Sequence, residues 1–256
     1  MTLDLRHLAD VAEAAARAAA ELLRARPARV DHKGAVDLVT EVDLASERVI
    51  RAHLERAAPG IPIQGEEGGG VTSGTRWAVD PLDGTTNFVH GYPFYCVSIG
   101  LIDGDTPVVG VLCDPVRDRL LRAAAGAGAT VDGAPLRVST VATLDAALSV
   151  TGFPYDRRAR AAFYLGRVQR ALECTQGVRR SGSAAMDLGT IAAGSAELFW
   201  EFGLKPWDTA AGVALVREAG GEVTRLDGAR WTPGAPDVLA TNGFVHAAAI
   251  ALLSGD

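Results

Sequence analysis

The chain has 256 residues, of which 48% are hydrophobic, and a formal net charge of −6, so it can bury a large core in one domain or in two closely packed halves. The acidic charge and the lack of long basic runs argue against nucleic acid as the main ligand. The 3 cysteines are too few for a disulfide framework or a zinc site, and no apolar segment reaches membrane-spanning length, so we expect a cytoplasmic protein with no membrane partner.

The first half is predicted to contain helices over a mostly antiparallel sheet. Apolar residues recur at helical spacing over 4–26, which predicts a helix that Pro27 ends. A second helix is predicted to begin near Asp43 and to end before Pro59, with an inward face formed by Ala45, Val49, Ala52 and Leu54. Apolar, β-branched runs predict an antiparallel meander over 94–102, 107–113, 119–123 and 130–136. We expect this α+β half to span residues 1–138.

The second half changes to alternating strands and helices. Strands are predicted at 147–151, 198–200, 223–226 and 238–240. Helices are predicted at 158–172, at 183–193, after Trp207 and at 244–253. This alternation is typical of an α/β half, which we expect to span residues 139–256. No linker or low-complexity tract separates the halves, so they should share an interface.

A strand and turn near residue 80 organise the first half. The apolar run 77–79 predicts a buried strand that ends abruptly at Asp80 and Pro81. Proline cannot donate a backbone hydrogen bond, and Gly84 allows a positive φ, so a tight turn is predicted between Pro81 and Gly84.

The predicted turn would aim several oxygen atoms into one small volume. These are the carboxylates of Asp80 and Asp83, a peptide carbonyl between them and the Thr85 hydroxyl. An all-oxygen environment suits Mg²⁺, and the amides after Gly84 could meet an anion. An ordinary surface turn is the alternative, because these residue types are common turn formers.

Acidic residues elsewhere strengthen the prediction of a metal site. Glu66 and Glu67 follow the strand-like run 61–65, and Asp208 lies near the start of a helix that Pro206 opens. If one carboxylate bridges, a second metal follows, and two ions can clamp the attacking and leaving oxygens of a phosphoryl transfer. The sequence therefore predicts a metal-assisted reaction at phosphate.

Other candidate residues have an ordinary structural explanation beside the functional one. Gly182 and Ser183 precede an apolar helix, whose start could bind hydroxyls or phosphate or could simply be capped by a serine. Glu201 follows the apolar run 196–200 and is either a hydroxyl acceptor or a solvated edge residue. For Asp43, the residues alone favour a helix cap.

Motifs along nearly the whole chain resemble those of the inositol monophosphatase family. The two signature motifs of that family are similar to the segments 80–87 and 207–221. Further similar segments lie at 37–43, 65–67, 182–185 and 200–203, with Lys33 ahead of the first. The resemblance implies the layered α-β-α-β-α sandwich of the fructose-bisphosphatase and inositol monophosphatase type, with the site between the halves. It also implies a homodimer and inhibition by lithium.

The resemblance further implies a role for each matching residue. One Mg²⁺ would be held by Glu66, Asp80, the Leu82 carbonyl and Thr85, and a second by Asp80, Asp83 and Asp208. Glu66, and Thr85 backed by Asp43, would draw a proton from the attacking water. The substrate would contact Asp83, Gly84, Thr85, Gly182, Ser183, Ala184, Glu201 and Asp208. Lys33 is expected near the metals, and Glu67 is expected to assist a third, weaker ion.

The residues and the resemblance together predict Mg²⁺-dependent hydrolysis of a phosphate monoester by water, with no phosphoenzyme. The substrate is predicted to be a small phosphorylated polyol, and the segment 200–208 favours myo-inositol 1-phosphate. Histidinol phosphate, fructose 1,6-bisphosphate and nucleotide 3′-phosphates are alternatives, because fold alone does not settle the substrate. A haloacid dehalogenase type of phosphatase is disfavoured, because its motif needs a closer spacing than that of Asp80 and Asp83. A non-catalytic regulatory or binding protein is a further alternative.

Overall fold

The computed structural model describes residues 3–24, 29–32 and 38–254. The helices are α1 Leu5–Ala20, α2 Glu41–Ala57, α3 Thr85–His90, α4 Arg157–Cys174, α5 Ala184–Ala192, α6 Pro206–Glu218 and α7 His246–Leu253. None of the helices within these residues has the length and apolar character needed to cross a bilayer.

The strands form a small ribbon and two larger sheets. The ribbon pairs β1 Val30–His32 with β2 Leu38–Thr40. The first large sheet contains, in spatial order, β3 Ile63–Gly65, β4 Arg76–Asp83, β5 Cys96–Asp103, β6 Thr106–Asp114, β7 Arg119–Ala124, β8 Gly128–Val131 and β9 Ala134–Pro135. The second contains, in chain order, β10 Leu148–Thr151, β11 Gly177–Arg179, β12 Leu198–Phe202, β13 Glu222–Thr224 and β14 Asp237–Thr241.

The first sheet confirms the predicted antiparallel meander, except that the run predicted over 130–136 is divided into β8 and β9 by a turn at Asp132 and Gly133, which both have a positive φ. From β4 to β9 each strand pairs antiparallel with the next, and only β3 runs parallel to its neighbour β4 among the described strands of this sheet. Its outer face packs against α1 and α2, whose buried side chains form one apolar core with those of the strands. The helix predicted over 4–26 is shorter than expected: α1 ends at Ala20 and a short 3₁₀ turn follows at Leu22–Arg24.

Two helices separate the sheets. The second sheet has the order β11-β10-β12-β14-β13, and α4 and α7 cover its outer face. Between the sheets, α5 and α6 pack against each other and against strands of both. A Cβ on Gly100 of β5 would lie 2.6 Å from the Ala210 Cβ of α6, so this close approach requires glycine. The layers therefore run α-β-α-β-α, as predicted.

The division of the chain at residue 138 stays a prediction. The strands of the first large sheet end at Pro135 and those of the second begin at Leu148. The helix α6, however, comes from the second half of the sequence and contacts strands β4 to β8 of the first sheet. The shared interface is thus a layer of the core.

The predicted inward face of α2 is largely wrong. Ala52 is exposed and Ala45 and Val49 are half-buried, whereas Leu54 is buried as expected. The buried positions on this helix are Asp43, Ser46, Glu47, Ile50 and Leu54. Polar side chains turn inward here because the Asp43 carboxylate accepts the Thr85 hydroxyl of α3 and the Glu47 carboxylate accepts the Glu67 N–H. An apolar pattern alone could not indicate this.

Candidate active site

A cavity of about 620 Å³ is lined by residues from both large sheets and the helices between them. It collects every metal and substrate residue expected from the sequence: Glu66, Asp80, Leu82, Asp83, Gly84, Thr85, Gly182, Ser183, Ala184, Glu201 and Asp208. Glu67 and Asp43 do not line it, and Lys33 lies outside the described residues. The residues that the sequence analysis drew from distant segments thus face one space.

The strand β4 differs from its prediction, because it continues past Asp80 to Asp83. Its pairing with β5 shifts between these two residues, so the strand bulges where Pro81 offers no N–H. The Leu82 N–H donates to Asp80 Oδ1 over 2.9 Å, which fixes the first carboxylate. Gly84 has a φ of +100° and leads directly into the short helix α3. The chain therefore changes direction through a β-bulge between Asp80 and Asp83 and through Gly84, and not through the predicted tight turn.

Asp43 makes the contacts that each of its two interpretations requires, and its catalytic role stays a prediction. Its Oδ2 accepts the Thr40 N–H over 2.8 Å at the N-terminus of α2. Its Oδ1 lies 3.1 Å from the Thr85 hydroxyl, which lies equally close to the Leu82 carbonyl oxygen. Burial raises the pKa of Asp43, while hydrogen bonds from Thr40 and Thr85 oppose that rise. One carboxylate thus caps a helix and orients a hydroxyl of the cavity.

The N-terminus of α5 is capped by Ser183, and its donors contact the carboxylate of Asp83. Ser183 caps the helix by accepting the Met186 N–H, and its hydroxyl donates to Asp83 Oδ2 over 2.6 Å. The Ala185 N–H donates to the same oxygen over 2.7 Å. Burial raises the pKa of Asp83 to about 6, although these hydrogen bonds lower it. The helix start therefore contacts the Asp83 carboxylate, while contacts from Gly182, Ser183 and Ala184 to a substrate stay predictions.

The carboxylates of the cavity repel one another. Burial raises the pKa of Asp80 well above its usual value, and the charges of Glu66, Asp83 and Asp208 raise it further. Burial and the charge of Asp83 raise the pKa of Asp208, whose Oδ2 accepts the Lys205 N–H over 2.7 Å. These groups are therefore close enough for their charges to interact.

This donor set fits a hard divalent cation. Carboxylates that share a buried cavity with a peptide carbonyl and a hydroxyl are the oxygen ligands that Mg²⁺ prefers, and their mutual repulsion would be relieved by a cation. Within residues 3–24, 29–32 and 38–254, no three acidic, histidine or cysteine side chains form a closed ligand group by themselves.

Glu201 lies inside β12, where it pairs with Val238, and not beyond the strand as predicted. Its side chain is 7% exposed, so the alternative of a solvated edge residue is wrong. A Cβ on Gly152 would lie 2.1 Å from Glu201 Oε2, so a larger residue there would have to displace the Glu201 carboxylate. Burial raises the pKa of Glu201 well above its usual value, and the charges of Asp187 and Asp83 add to the rise.

Comparisons with known proteins agree with this geometry. The family model described as inositol monophosphatase family matches residues 4–255. An inositol-1-monophosphatase from Synechocystis is 46% identical over 250 residues, which cover 95% of this chain and 87% of that protein. The solved inositol monophosphatase of Anabaena matches with a TM-score of 0.90 and 42% identity, covering 98% of this chain and 97% of that one. This chain belongs to the inositol monophosphatase family.

Family membership confirms the expected fold and makes the protein a phosphatase, which excludes the haloacid dehalogenase alternative. Another relative, the Nus factor SuhB of Escherichia coli, is 44% identical over 200 residues, which cover 77% of this chain and 74% of that protein. Inositol monophosphatase relatives and a Nus factor are thus comparably similar to this chain.

Two acidic residues near this inositol monophosphatase site were missed by the sequence analysis. Asp187 is 1% exposed and lines the cavity, and neither of its carboxylate oxygens has a hydrogen bond of acceptable geometry. Burial raises its pKa well above the usual value, Asp83 adds to the rise, and Ser181 and Arg180 lower it. Its spacing of one helical turn from Ser183 was the available signal.

Glu47 is the second missed residue. It is 3% exposed on α2, and it accepts backbone N–H groups from the loop that carries Glu66. It follows Asp43 by one helical turn, so the two carboxylates share a face of the helix. The pair was missed because the predicted inward face of α2 contained only apolar residues.

Basic residues complete the cavity wall. Arg157, Arg180 and Lys205 line it together with the carboxylates. The charge of Arg180 lowers the pKa of both Glu201 and Asp187. A cavity that places carboxylates beside cations and a buried hydrogen-bond acceptor can hold a phosphate at one part and a hydroxylated group at another.

Proposed function

We propose that this phosphatase hydrolyses myo-inositol 1-phosphate to inositol and phosphate, with Mg²⁺ as its cofactor. The observation that carries the proposal is one cavity that joins an acidic, oxygen-rich part to the buried carboxylate of Glu201. The first part suits a metal-bound phosphate, and the second suits the hydroxyls of a polyol. The Synechocystis relative named inositol-1-monophosphatase supports the choice of substrate.

We assign the metal ligands as the sequence analysis did. Glu66, Asp80, the Leu82 carbonyl and Thr85 would hold one ion, and Asp80, Asp83 and Asp208 a second. Glu67 would assist a third, weaker ion only from outside the cavity lining. When bound, Mg²⁺ would lower the pKa of a bound water and neutralise charge on the phosphate and the leaving oxygen.

The residues around Thr85 would prepare the attacking water. Because the Thr85 hydroxyl can donate to Asp43 over 3.1 Å, its oxygen lone pairs can accept a hydrogen bond from water. Glu66, whose side chain lines the cavity, would then take the proton of that water as it attacks the phosphorus in line with the leaving oxygen. The N–H groups of Gly84 and Thr85 would bind the phosphate oxygens.

Glu201 would recognise the leaving group. The hydroxyl of Ser183 and the N–H of Ala185 already donate to Asp83, so they have less capacity for the substrate. A buried carboxylate that accepts a hydrogen bond from a ring hydroxyl gains more than a solvated one. We therefore expect Glu201 to discriminate among esters more strongly than Gly182, Ser183 or Ala184, which would contact the same ligand.

A side-by-side assay tests the proposal. Phosphate release with and without Mg²⁺ is measured for inositol 1-phosphate, histidinol phosphate, fructose 1,6-bisphosphate and a nucleotide 3′-phosphate. We expect the highest kcat/KM for inositol 1-phosphate, and a loss of about 10³-fold in kcat for Asp80→Asn. Asp114→Asn is the matched control, because Asp114 is also buried in this sheet but does not line the cavity.

The same assay separates the alternatives. A higher kcat/KM for another ester would show that this ester, and not inositol 1-phosphate, is the preferred substrate. Equal rates for wild type and Asp80→Asn would contradict the assignment of the cavity as the catalytic site. A regulatory protein without activity would release no phosphate from any ester, an outcome to consider because one relative is named a Nus factor. The homodimer and lithium inhibition stay predictions that rest on the resemblance, and the cytoplasmic location stays a prediction that rests on the cysteines and the apolar segments of the sequence.

A further inference from the structure

Glu47 is a buried carboxylate that binds a loop and not a ligand of the cavity. Its Oε2 accepts the Glu67 N–H over 2.7 Å, and its Oε1 accepts the Gly68 N–H over 2.9 Å. The Arg51 guanidinium donates to the same Oε1 over 2.7 Å from one turn further along α2. Three donors therefore converge on one side chain that is 4% exposed.

The loop held in this way, residues 65–69, carries Glu66, and we call it the Glu66 loop. Its ends are joined by the Gly65 N–H, which donates to the Gly69 carbonyl over 2.9 Å. The Glu66 N–H donates to the Val79 carbonyl of β4 over 3.1 Å. Together with the bond from Glu67 to Glu47, this fixes the peptide groups on both sides of Glu66. The position of the Glu66 side chain depends on both anchors.

The glycines of the Glu66 loop make room for the Glu47 carboxylate. A Cβ at Gly65 would lie 2.4 Å from Glu47 Oε1, and a Cβ at Gly68 would lie 2.6 Å from the same atom. Neither glycine has a positive φ, so glycine is favoured at both positions by space: a Cβ would have to displace the Glu47 carboxylate from its hydrogen bonds. Arg51 closes the arrangement by donating from Nη2 to the Gly69 carbonyl over 3.0 Å. The loop and the helix are therefore fitted to each other around one side chain.

We propose that Glu47 is a positioning residue for Glu66: it anchors the Glu66 loop to α2 and so holds the Glu66 carboxylate in the cavity. This inference rests on the proposed function, in which Glu66 is a metal ligand and the base. The same helix presents Asp43 to Thr85 one turn earlier, so α2 places both groups that would act on the attacking water. Small displacements of such groups cost large factors in rate.

The position needs a carboxylate in particular. A glutamine at 47 would present one N–H₂ group to an arrangement that contains only donors, the two N–H groups of the loop and the guanidinium of Arg51. At least one buried donor would lose its partner, and the loop would move to satisfy it. Charge-assisted hydrogen bonds to backbone N–H groups would be replaced by weaker neutral ones.

The test compares Glu47→Gln with Glu197→Gln. Glu197 is also buried, at 5% exposed, and accepts the Leu148 N–H over 2.6 Å, but it does not line the cavity. For Glu47→Gln we expect kcat for inositol 1-phosphate to fall about 10- to 100-fold and the Mg²⁺ concentration for half-maximal activity to rise about 10-fold, as for other residues that orient metal ligands. KM for the substrate should stay within about 3-fold, because Glu47 touches no part of the cavity that would hold the polyol.

A second measurement uses the protein without metal. Amide hydrogen exchange at Glu67 and Gly68 should become at least about 10-fold faster in Glu47→Gln and should not change in Glu197→Gln, since only the first loses the acceptor of these N–H groups. Gly68→Ala displaces the carboxylate from the loop side and should reproduce the effect on kcat. The two variants disturb the same contact, one from α2 and one from the loop. If one of them fails to fold, the other still tests the inference.

The outcomes distinguish the inference from the function on which it rests. If wild type is active and Glu47→Gln behaves like Glu197→Gln in kcat, the positioning role is wrong although the proposed function stands. Unchanged exchange at Glu67 and Gly68 also overturns the role, whatever the activity. If wild type releases no phosphate with Mg²⁺, the proposed function fails, and the exchange measurement still decides whether Glu47 anchors the loop.

Discussion

The two walls of the cavity are built differently. On the wall from the first sheet and α3, hydrogen bonds fix the polar groups: the Thr85 hydroxyl contacts Asp43, which does not itself line the cavity, and Asp80 accepts the Leu82 N–H. On the wall from α5 and β12, Asp187 has no hydrogen bond of acceptable geometry, and Glu201 faces the space left by Gly152. Hydrogen bonds within the protein therefore hold the first wall more completely than the second.

This difference assigns a separate role to each wall: the first would act on water and phosphate, and the second would recognise the substrate. Groups that must act on water and phosphate work best when their orientation is fixed in advance. Groups that recognise a substrate gain most when the substrate supplies the missing donor, because burial without a partner is costly. Asp83 links the walls, since it leaves the first sheet and accepts hydrogen bonds from α5. Substitutions on the two walls should therefore affect different kinetic parameters.

Asp43→Asn should have the largest effect among the following changes. The amide cannot accept the Thr85 hydroxyl and the Thr40 N–H as the carboxylate does, so Thr85 loses its orientation. We expect kcat to fall about 10²- to 10³-fold, the range for a lost proton-transfer partner, with KM nearly unchanged. Steady-state phosphate release measures both.

Thr40→Ala is the control for Asp43→Asn. It removes the side-chain cap of α2 and the hydroxyl that donates to Asp43 Oδ2, but it keeps the Thr40 N–H on Oδ2 and the Thr85 hydroxyl on Oδ1. We expect a loss of about 1 kcal/mol in the free energy of unfolding and less than about 5-fold in kcat. If the two variants lost the same activity, the cap alone would explain the role of Asp43 and the first wall would not be preorganised for catalysis.

Glu201→Gln tests the second wall. Losing a charged acceptor for a substrate hydroxyl should lower kcat/KM for inositol 1-phosphate about 10- to 100-fold, equivalent to about 1.5–3 kcal/mol. Phenyl phosphate has no ring hydroxyl for Glu201 to accept, so its kcat/KM should change less than about 3-fold. A parallel loss for both esters would show that Glu201 acts on the chemistry and would remove the contrast between the walls.

Ser183→Ala breaks the link between the walls. Asp83 would lose the hydroxyl that lies 2.6 Å from its Oδ2, and α5 would lose its cap. We expect the Mg²⁺ requirement to rise about 10-fold and the free energy of unfolding to fall about 1 kcal/mol. Ser149→Ala, which removes a buried hydroxyl bonded to the Gly177 carbonyl, should lower stability without changing the Mg²⁺ requirement. A similar Mg²⁺ requirement in both variants would contradict a metal-orienting role for Ser183.

The sequence was sufficient where residue type determines local structure. The meander from β5 to β9, the helix that Pro206 opens and the positive φ of Gly84 follow from β-branched runs, proline and glycine. The motifs also allowed the residues of the cavity to be named in advance. The continuation of β4 to Asp83 could not be predicted, because the bulge depends on pairing with β5.

The polar interior could not be predicted from periodicity either. Glu47 is buried at a position that the predicted inward face of α2 would leave facing solvent, and Asp187 is a buried acid in a mostly apolar helix. What places Glu47 inside is the set of N–H groups on a loop about 20 residues later in the chain. Such contacts follow from the tertiary arrangement, and two glycines spaced to receive a carboxylate were the nearest signal in the sequence.

The smallest expected effect concerns Asp187 and stability. Its pKa is raised by burial, so the folded chain binds this proton more tightly than the unfolded chain, and the stabilisation present at acid pH is lost as pH rises above the ordinary value of 3.8. Asp187→Asn removes the charge and should raise the free energy of unfolding at pH 7.5 by about 1 kcal/mol, with less effect at pH 4. Asp114→Asn should instead destabilise, because Asp114 accepts the Val116 N–H and binds Arg117. Denaturant unfolding of the metal-free protein at both pH values measures these differences in the free energy of unfolding. If Asp187→Asn were less stable than wild type at pH 7.5, the second wall would satisfy the Asp187 carboxylate without a ligand.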